Sequence, residues 1–417
     1  MTLAEEALKL SAIDFPKGWK RRRLRDVVRL VNGYPFPSDS FASSGSIPLV
    51  RIRDLLASEF QTYASGHVPS QVMMRDGDVV VGMDGDFNVV IWKRGTAALN
   101  QRLCLLRPRE AVDMRFIAYA LPLILKVIND LTFSTTVKHL SSSDLLTERL
   151  LLPPLDEQRR IADFLDVQTA RVVALDDCRD RQLAAYEARL QGMVKIKTGR
   201  NLAWDRESPI DGSVLPLRRV AKRVKTGATP PGAAERYFVG DDQGIPWFAP
   251  VSFGNAIKLG MAPRRLSSLA VQEGFPVFEA GSTLLVGIGA TAGKVAYLEE
   301  RASGNQQVTA VAPNERIDGR YLAWQLFAAT EELRSLAPYT TMPIINNDFL
   351  KSFPIWLPPL DRQRAAVREI EQVHEHLSRL RLAFAEARSL LSEWRQSLTA
   401  AAVTGQIDVT TARGVDV

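Results

Sequence analysis

The chain has 417 residues, of which 46% are hydrophobic and 24% are charged, so it is long enough for two or three domains and is not globally disordered. Two cysteines, Cys104 and Cys178, exclude a disulfide framework, and no Cys/His spacing predicts a zinc site, so we expect a soluble cytoplasmic protein with neither secretory signal nor membrane span. The net charge of +6, with arginine outnumbering lysine about three to one, agrees with a phosphate-bearing partner but also with many basic proteins that never bind nucleic acid.

The first stretch, from about residue 20 to 150, is rich in glycine, proline and short β-branched runs. One such run is Asp78-Val79-Val80-Val81, which ends at Gly82. Runs of this length between turn residues predict short strands. A helical patch, Phe116–Ile128, lies near the end of the stretch. We therefore predict an α+β domain with a β-rich core.

A long helix is predicted next, because no proline occurs from Asp156 to Lys197 and Gly192 is the only interior glycine. Asp156 follows two prolines, where an N-cap or first-turn acid favours helix initiation. More than forty residues at about 1.5 Å each give a rod of about 60 Å. Apolar residues form a seam along this rod, which polar Gln168 interrupts: Ile161, Leu165, Val172, Leu175, then Leu183, Tyr186 and Leu190.

A polar, breaker-rich segment, 198–214, leads into a second β-rich stretch, about 214–355, with its own helical patch, Arg320–Leu336. A second helix is predicted from Asp361 to about Val403. Its apolar residues are spaced four and three in alternation, as in a coiled coil: Val373, Leu377, Leu380, Phe384, Ala387, Leu391, Trp394 and Leu398. Neither rod can bury its apolar stripe alone, so we expect the two to pack against each other.

The two halves are copies of one unit of roughly 200 residues. Leu152–Arg159 recurs as Leu357–Arg364, identical at all but one of eight positions, with an offset of 357 − 152 = 205. The same offset relates two further pairs, Asn100-Gln101 with Asn305-Gln306 and Thr135-Thr136 with Thr340-Thr341. Duplicated domains often serve two-fold partners, although duplication without a symmetric task remains the alternative.

Two loops at similar places in the copies imitate ligand sites. In the segment Gly287–Lys294 the glycine spacing is wrong for a P-loop and Val295 stands where Ser or Thr is needed, so a strand-turn-strand is favoured. In the first copy Asp84, Asp86 and Asn88 imitate a calcium loop, but Val89 occupies the glycine position, which favours a polar loop. No catalytic constellation is evident, so we expect a protein that is not an enzyme.

The repeated Leu-Pro-Pro-Leu-Asp-x-Gln-Arg element and the ending Ala401–Asp408 resemble those of specificity subunits of Type I restriction-modification systems. Family members also carry a Gly-Tyr-x-Phe-like turn, matched by Gly33–Phe36, and a Thr-Gly-x-Thr-Pro turn, matched by Thr226–Pro230. The resemblance implies two similar β-rich target-recognition domains separated by two long antiparallel coiled-coil helices, as a pseudo-two-fold internal repeat. The expected boundaries are 1–152 for the first recognition domain, 153–199 for the central helix, 200–356 for the linker and second recognition domain, 357–405 for the C-terminal helix and 406–417 for a tail.

The resemblance further implies that each recognition domain reads one half of an interrupted sequence in double-stranded DNA. The helices would set the gap and dock two methyltransferase subunits, and a motor nuclease (restriction) subunit would join for cleavage. S-adenosylmethionine, ATP and Mg²⁺ would bind partner subunits, and no cofactor or metal would bind this chain. Two rival hypotheses are a coiled-coil scaffold for protein partners and a nucleotide-dependent enzyme built on the loop 287–294.

Candidate residues follow from the basic clusters, the family-like turns and the helix openings. The candidates for DNA contact are Arg21, Arg22, Arg23, Arg25, Tyr34, Arg51, Arg53, Lys93, Arg94, Lys138, Arg218, Arg219, Lys222, Lys225, Thr229, Lys258, Arg264, Arg265 and Lys294. The candidates for partner docking are Leu155, Asp156, Gln158, Arg159, Ile161, Phe164, Leu360, Asp361, Gln363, Arg364 and Val367.

Overall fold

The computed structural model describes residues 16–131, 138–200, 212–230, 235–240, 243–337 and 344–409. They form two compact units. Unit 1 comprises the described residues of Met1–Cys178 and Ala385–Val417, and unit 2 comprises those of Arg179–Phe384. The Thr-Thr pairs 135–136 and 340–341 and most of the predicted linker lie outside the described residues.

The globular part of unit 1 is built from short strands followed by helices, as the turn-rich sequence predicts. In chain order the elements are β1 (Lys20–Arg23), α1 (Leu24–Val27), β2 (Val28–Asn32), β3 (Phe41–Ala42), β4 (Leu49–Val50), β5 (Tyr63–Ala64), β6 (Met73–Met74), β7 (Val79–Gly82), β8 (Val89–Ile91), β9 (Ala97–Leu99), β10 (Leu103–Pro108), α2 (Met114–Leu131), α3 (Ser142–Thr147) and β11 (Arg149–Leu152).

An antiparallel sheet of order β2-β10-β7-β8 is the centre of unit 1. Successive residues of a strand face opposite sides, and both sides are buried here. Val79 and Val81 pack with Phe116 of α2, whereas Val80 packs on the other side with Trp92 and the small sheet β4-β9-β6. The sheet is therefore the middle layer, which explains its continuous apolar runs.

The first long helix, α4 (Leu155–Lys197), follows, and unit 2 then repeats the pattern. Its elements are β12 (Ser213–Pro216), β13 (Ala221–Thr226), β14 (Phe238–Val239), β15 (Ile245–Phe248), β16 (Arg264–Leu266), α5 (Ser268–Gln272), β17 (Thr283–Val286), β18 (Val295–Tyr297), β19 (Ser303–Gly304), β20 (Val308–Pro313), α6 (Gly319–Ala328), α7 (Thr330–Leu336), α8 (Asn347–Ser352), β21 (Pro354–Leu357) and α9 (Leu360–Val403). Its central sheet, β13-β20-β17-β18, corresponds to that of unit 1.

Each unit contains a segment of both long helices, and within each unit the segments are antiparallel. In unit 2, Glu187 of α4 pairs with Arg381 of α9 at 2.6 Å, and Lys197 pairs with Glu369 at 2.7 Å. In unit 1, Arg388 of α9 lies 3.6 Å from Asp176 of α4. The N-terminal turns of α4 and the C-terminal turns of α9 also share the core of unit 1.

The predicted α+β class, the repeat and the paired long helices are confirmed. Two seam positions differ from the prediction, because the side chains of Leu175 and Trp394 are 48% and 45% exposed. A straight α-helix drifts by about 20° per heptad relative to a 3.5-residue repeat, so a strict seam leaves the interface at some positions. Among the described helices, none is long and apolar enough to cross a membrane.

Candidate nucleic-acid interface and helix openings

Four segments that are distant in sequence meet at one end of the central sheet of unit 1. We call this the loop edge of unit 1, and it consists of Asn32–Tyr34, Gly82–Asn88, Asn100–Arg102 and Lys138–Leu140. Backbone hydrogen bonds hold it together: the amide of Tyr34 donates to Leu99 at 2.9 Å, that of Met83 to Arg102 at 3.0 Å, and that of Leu140 to Met83 at 2.8 Å.

Unit 2 has the same loop edge, formed by Thr226–Thr229, Gly287–Lys294, Asn305–Gln307 and Ile344–Asn347. The amide of Ala228 donates to Gly304 at 2.9 Å, that of Gly287 to Gln307 at 2.7 Å, and that of Ile345 to Gly287 at 2.8 Å. Most of the residues that form these bonds lie 205 positions after their counterparts in unit 1. The repeated Asn-Gln pair and the two family-like turns therefore meet at the same place in both units.

Two glycines allow the backbones of these segments to approach each other closely. A Cβ on Gly33 would lie 1.9 Å from the carbonyl oxygen of Asn100, and a Cβ on Gly227 would lie 2.1 Å from that of Gly304. Both distances are far below van der Waals contact, so only glycine permits the close approach of the two backbones. This requirement explains the glycine that both turns share.

The two arginine-rich clusters lie at the other end of the sheet. Arg21, Arg22 and Arg23 are in β1, which pairs with β11 ahead of the helix opening, whereas β2 reaches the loop edge only at Asn32. Five residues at about 3.3 Å separate the two ends of β2 by about 17 Å. In unit 2, Arg218 and Arg219 likewise precede β13. Members of these clusters form ion pairs, Arg22 with Glu110, Arg25 with Asp26 and Lys222 with Glu279.

Several other candidates contact their own unit. The guanidinium of Arg94 lies 4.3 Å from the Trp92 ring and donates to backbone oxygens of Asp54 and Ala57, and burial lowers its pKa. Its environment is that of a structural residue. Comparable internal contacts are made by Arg51 with Asp54, Lys138 with Asn129, Thr229 with Gln306, Arg264 with Phe238, Arg265 with Gly244 and Lys294 with Phe253.

The remaining candidates are exposed or close to an edge. Arg53 is 68% exposed and follows β4 in a short 3-10 turn, and Lys93 and Lys258 are also exposed. Tyr34 lies on the loop edge with its ring against Phe36, and Lys225 directly precedes Thr226 in β13. The candidates are thus divided between the loop edges, the opposite ends of the sheets and positions that contact their own unit.

The two loops that imitate ligand sites have other roles. The segment Gly287–Lys294 joins β17 to β18 as a turn, and the ammonium of Lys294 donates to the Phe253 carbonyl at 3.0 Å, which is unlike a phosphate-binding lysine. In unit 1 the buried ring of Phe87, at φ +49°, anchors the polar loop. Within the described residues, no three His, Cys, Asp or Glu side chains are placed to hold a metal.

The helix-opening elements combine buried and exposed positions. Gln158, Ile161 and Phe164 are buried at the start of α4, as are Gln363 and Val367 at the start of α9. Leu155 and Leu360 are half-buried. The exposed candidates are Asp156, Arg159, Asp361 and Arg364. Both aspartates lie in the first turn, where a negative charge favours the helix dipole.

The buried glutamines fasten each helix to its globular domain. Gln158 accepts from the Asp113 amide at 2.9 Å and donates to the Pro153 carbonyl at 2.8 Å. Gln363 accepts from the Asp318 amide at 2.8 Å and donates to the carbonyls of Pro358 and Arg316 at 2.8 and 3.0 Å. We call each of these arrangements the helix junction.

An arginine that sequence reasoning missed supports each junction. Arg115 contacts Asp113, Asp163 and Asp166 at 2.7–2.8 Å, and the Asp113 carboxylate is the main cause of its raised pKa. Arg320, which follows Arg115 by 205 residues, contacts Glu371 at 2.9 Å, which raises its pKa too. The repeat offset would have identified this pair.

Comparison with known proteins agrees with this arrangement. The family model for the Type I restriction modification DNA specificity domain matches residues 16–177 and 214–382. The Type I restriction enzyme EcoBI specificity subunit of Escherichia coli is 44% identical over 156 residues, which is 37% of this chain but only 33% of that protein.

Solved structures show the same fold. A chain from a study of complex assembly and conformational transition of the type I R-M system aligns with a TM-score of 0.74 at 19% identity, over 95% of this chain and 100% of that one. The HsdS subunit from Thermoanaerobacter tengcongensis aligns with a TM-score of 0.54 at 19% identity, over 95% and 99%. Because the family model matches two segments that together cover most of the sequence, this chain belongs to the family of Type I restriction-modification DNA specificity subunits.

Proposed function

We propose that this chain recognises a bipartite DNA target, with the loop edge of unit 1 reading one half and the loop edge of unit 2 reading the other. The observation that carries the proposal is the pair of loop edges. The same backbone hydrogen bonds hold both, but their side chains differ. Two loop edges with the same backbone arrangement but different side chains suit two different half-sites, because the hydrogen-bond donors and acceptors of side chains discriminate base pairs.

Phosphate contacts supply the sequence-independent part of the affinity. The exposed Arg218 and Arg219 precede β13 and so lie about one strand length from the loop edge of unit 2, which suits contact with the DNA backbone beside the bases. Arg21 is exposed in β1, ahead of α1 and β2. Such contacts position a protein on DNA without choosing its sequence. The recognition domains of the proposal are residues 1–152 and 200–356.

The helices, 153–199 and 357–405, set the gap between the half-sites and dock two methyltransferase subunits. Support for docking comes from the helix openings, where Asp156 and Arg159 are exposed in one unit and Asp361 and Arg364 in the other. Equal side chains at equivalent places present the same surface twice, which suits two copies of one partner. A motor nuclease (restriction) subunit completes the enzyme.

The chemistry takes place on the partner chains. S-adenosylmethionine binds the methyltransferase subunits, and ATP with Mg²⁺ binds the motor subunit. This chain contributes the choice of sequence and works in the cytoplasm, where the DNA and these partners are found.

The proposal is tested by purifying the chain with its methyltransferase partner and selecting bound sequences from random DNA. We expect two short motifs with a fixed gap. One contiguous motif, or no enrichment, would contradict the proposal. Indifference to DNA at low salt with tight protein association would favour a scaffold, and ATP hydrolysis by the pure chain that is lost in Lys294→Ala would favour a nucleotide-dependent enzyme.

A matched pair of variants separates the two kinds of DNA contact. Replacing both Arg218 and Arg219 by alanine should weaken binding to all sequences alike and lower the slope of log affinity against log salt by about 2, roughly 1 for each phosphate that is no longer neutralised. Arg316→Ala, an exposed arginine at the helix junction of unit 2, is the control and should leave the slope unchanged.

A further inference from the structure

The side chains of Asp84, Arg102 and His139 form a cluster on the loop edge of unit 1. The guanidinium Nε of Arg102 lies 3.5 Å from a carboxylate oxygen of Asp84, and the other oxygen of this carboxylate lies 2.6 Å from Nδ1 of His139. Asp84 is only 18% exposed, whereas Arg102 and His139 are 56% and 55% exposed. A mostly buried carboxylate thus holds two side chains at the surface.

Among its described residues, unit 2 has no equivalent of this cluster. The backbone bridge between Asp84 and His139 recurs as a bridge between Ile288 and Ile344, so two isoleucines replace this polar pair. Arg102 corresponds to Gln307, whose amide accepts from Asn305 at 3.1 Å and donates to the Ile288 carbonyl at 3.3 Å. The backbone arrangement is the same, but in unit 2 the side chain of Gln307 forms hydrogen bonds within its own unit.

We propose that Arg102 is a specificity-determining residue that reads a guanine through its major-groove edge, in the half-site of unit 1 alone. This inference rests on the proposed function. A guanidinium presents two parallel N–H donors, which match the O6 and N7 acceptors of guanine, and this is the commonest base-specific contact of arginine. The contact with Asp84 uses Nε, and the terminal nitrogens carry the donors that such a contact needs.

The cluster favours base reading over phosphate binding. The carboxylate of Asp84 compensates the charge of Arg102, which weakens its long-range attraction to phosphates. The same carboxylate restricts the rotamers of the arginine, so less conformational entropy is lost when a directional contact forms. His139 fixes the carboxylate in turn, as supporting residues do in sites that require a defined geometry.

The test uses the complete chain with its methyltransferase partner and the target found by selection. In Arg102→Gln we expect the preference for guanine at one base pair to fall by about tenfold to a hundredfold, because the glutamine amide has a single donor nitrogen and cannot present the two parallel donors of a guanidinium. All positions of the other half-site should keep their preferences. Recognition of that half-site by the same molecule shows that the variant is folded.

Modified bases identify the groove. Replacing the guanine by 7-deazaguanine removes the N7 acceptor and should weaken binding of the unchanged protein but not of Arg102→Ala. Inosine keeps O6 and N7 and removes only the minor-groove amino group, so it should be tolerated by both proteins. Asp84→Asn tests the supporting role and should reduce the guanine preference less than Arg102→Gln does.

A matched control is Gln307→Ala, which should leave this guanine preference intact. Equal weakening for all sequences in Arg102→Ala would identify a phosphate contact and overturn the inference. An unchanged guanine preference in a protein that still selects two separated motifs would also overturn it, without affecting the proposed function. Failure to select two motifs at all would instead reject the proposed function.

Discussion

The helix junctions and the loop edges changed to different extents between the two units. At the junctions, the same buried glutamine accepts from an aspartate amide and donates to a proline carbonyl in both units. At the loop edges, the backbone bonds match but Arg102, Asp84 and His139 of unit 1 correspond to Gln307, Ile288 and Ile344 of unit 2.

Burial explains the difference. A buried polar group without a hydrogen-bond partner costs about 1–3 kcal/mol, so replacing the glutamine at a junction would destabilise the unit. A partly exposed side chain can exchange a protein partner for water at little cost, so the loop edge can change its chemistry without unfolding its frame. The comparison thus separates the framework from the residues proposed to read DNA.

The largest effect is expected from Gln363→Leu at the junction of unit 2. The substitution leaves the Asp318 amide and the carbonyls of Pro358 and Arg316 without partners, which should destabilise the unit by about 4 kcal/mol. Gln158→Leu breaks two hydrogen bonds and should cost about 3 kcal/mol. Urea unfolding measures both.

Arg159→Ala and Arg364→Ala alter exposed residues of the same two elements and are the controls. They should stay within about 0.5 kcal/mol of the unchanged protein. Equal stabilities for the glutamine and arginine variants would refute the role given to the junctions.

The next largest effect is expected from Gly33→Ala and Gly227→Ala at the loop edges. The added methyl group would collide with a backbone carbonyl oxygen, so each change should destabilise its unit by about 3 kcal/mol, as overpacking does. Gly240→Ala is the control, because no atom lies within 4 Å of its added Cβ. If all three variants unfold at the same urea concentration, the close approach of the backbones is absent.

A smaller effect of opposite sign is expected in the long helix α4. Gly192 is an interior helical glycine with no atom within 4 Å of an added Cβ, so Gly192→Ala should stabilise the protein by about 1 kcal/mol. The melting temperature should rise while the selected DNA motif stays the same. A fall in the melting temperature would indicate that the glycine is required for packing.

The smallest effect concerns pH and distinguishes the two units. Burial lowers the pKa of His374 from 6.5, with further lowering by Arg381 and Lys258 and an opposing effect of Glu371. The unfolded chain therefore binds the proton more readily, so stability should fall, by less than about 1 kcal/mol, as the pH drops below about 6.5.

The residue in unit 1 that corresponds to His374 is Thr169, which does not titrate. His374→Gln should flatten the decrease in urea midpoint between about pH 7.5 and about pH 5.5. An unaltered decrease in that variant would assign the pH dependence to other groups.

Much of the framework could be predicted from local sequence. Helices were expected to open at the repeated Asp156 and Asp361, and they begin one residue earlier, at Leu155 and Leu360. The site was less predictable. Sequence reasoning favoured basic residues that have other basic residues close to them in the sequence. Arg94 is such a residue but contacts its own unit, whereas Arg102 has no basic neighbour in the sequence and lies on the loop edge.

The sequence by itself determined the duplication, the long helices and the family, because repeats, proline-free heptads and helix-opening motifs are encoded by residues close together in the chain. The tertiary structure decided which residues form the helix junctions and which face the surface. Asp84, Arg102 and His139 are 18 and 37 residues apart in sequence, and only the pairing of β7 with β10 and the return of the chain at Leu140 bring them into contact.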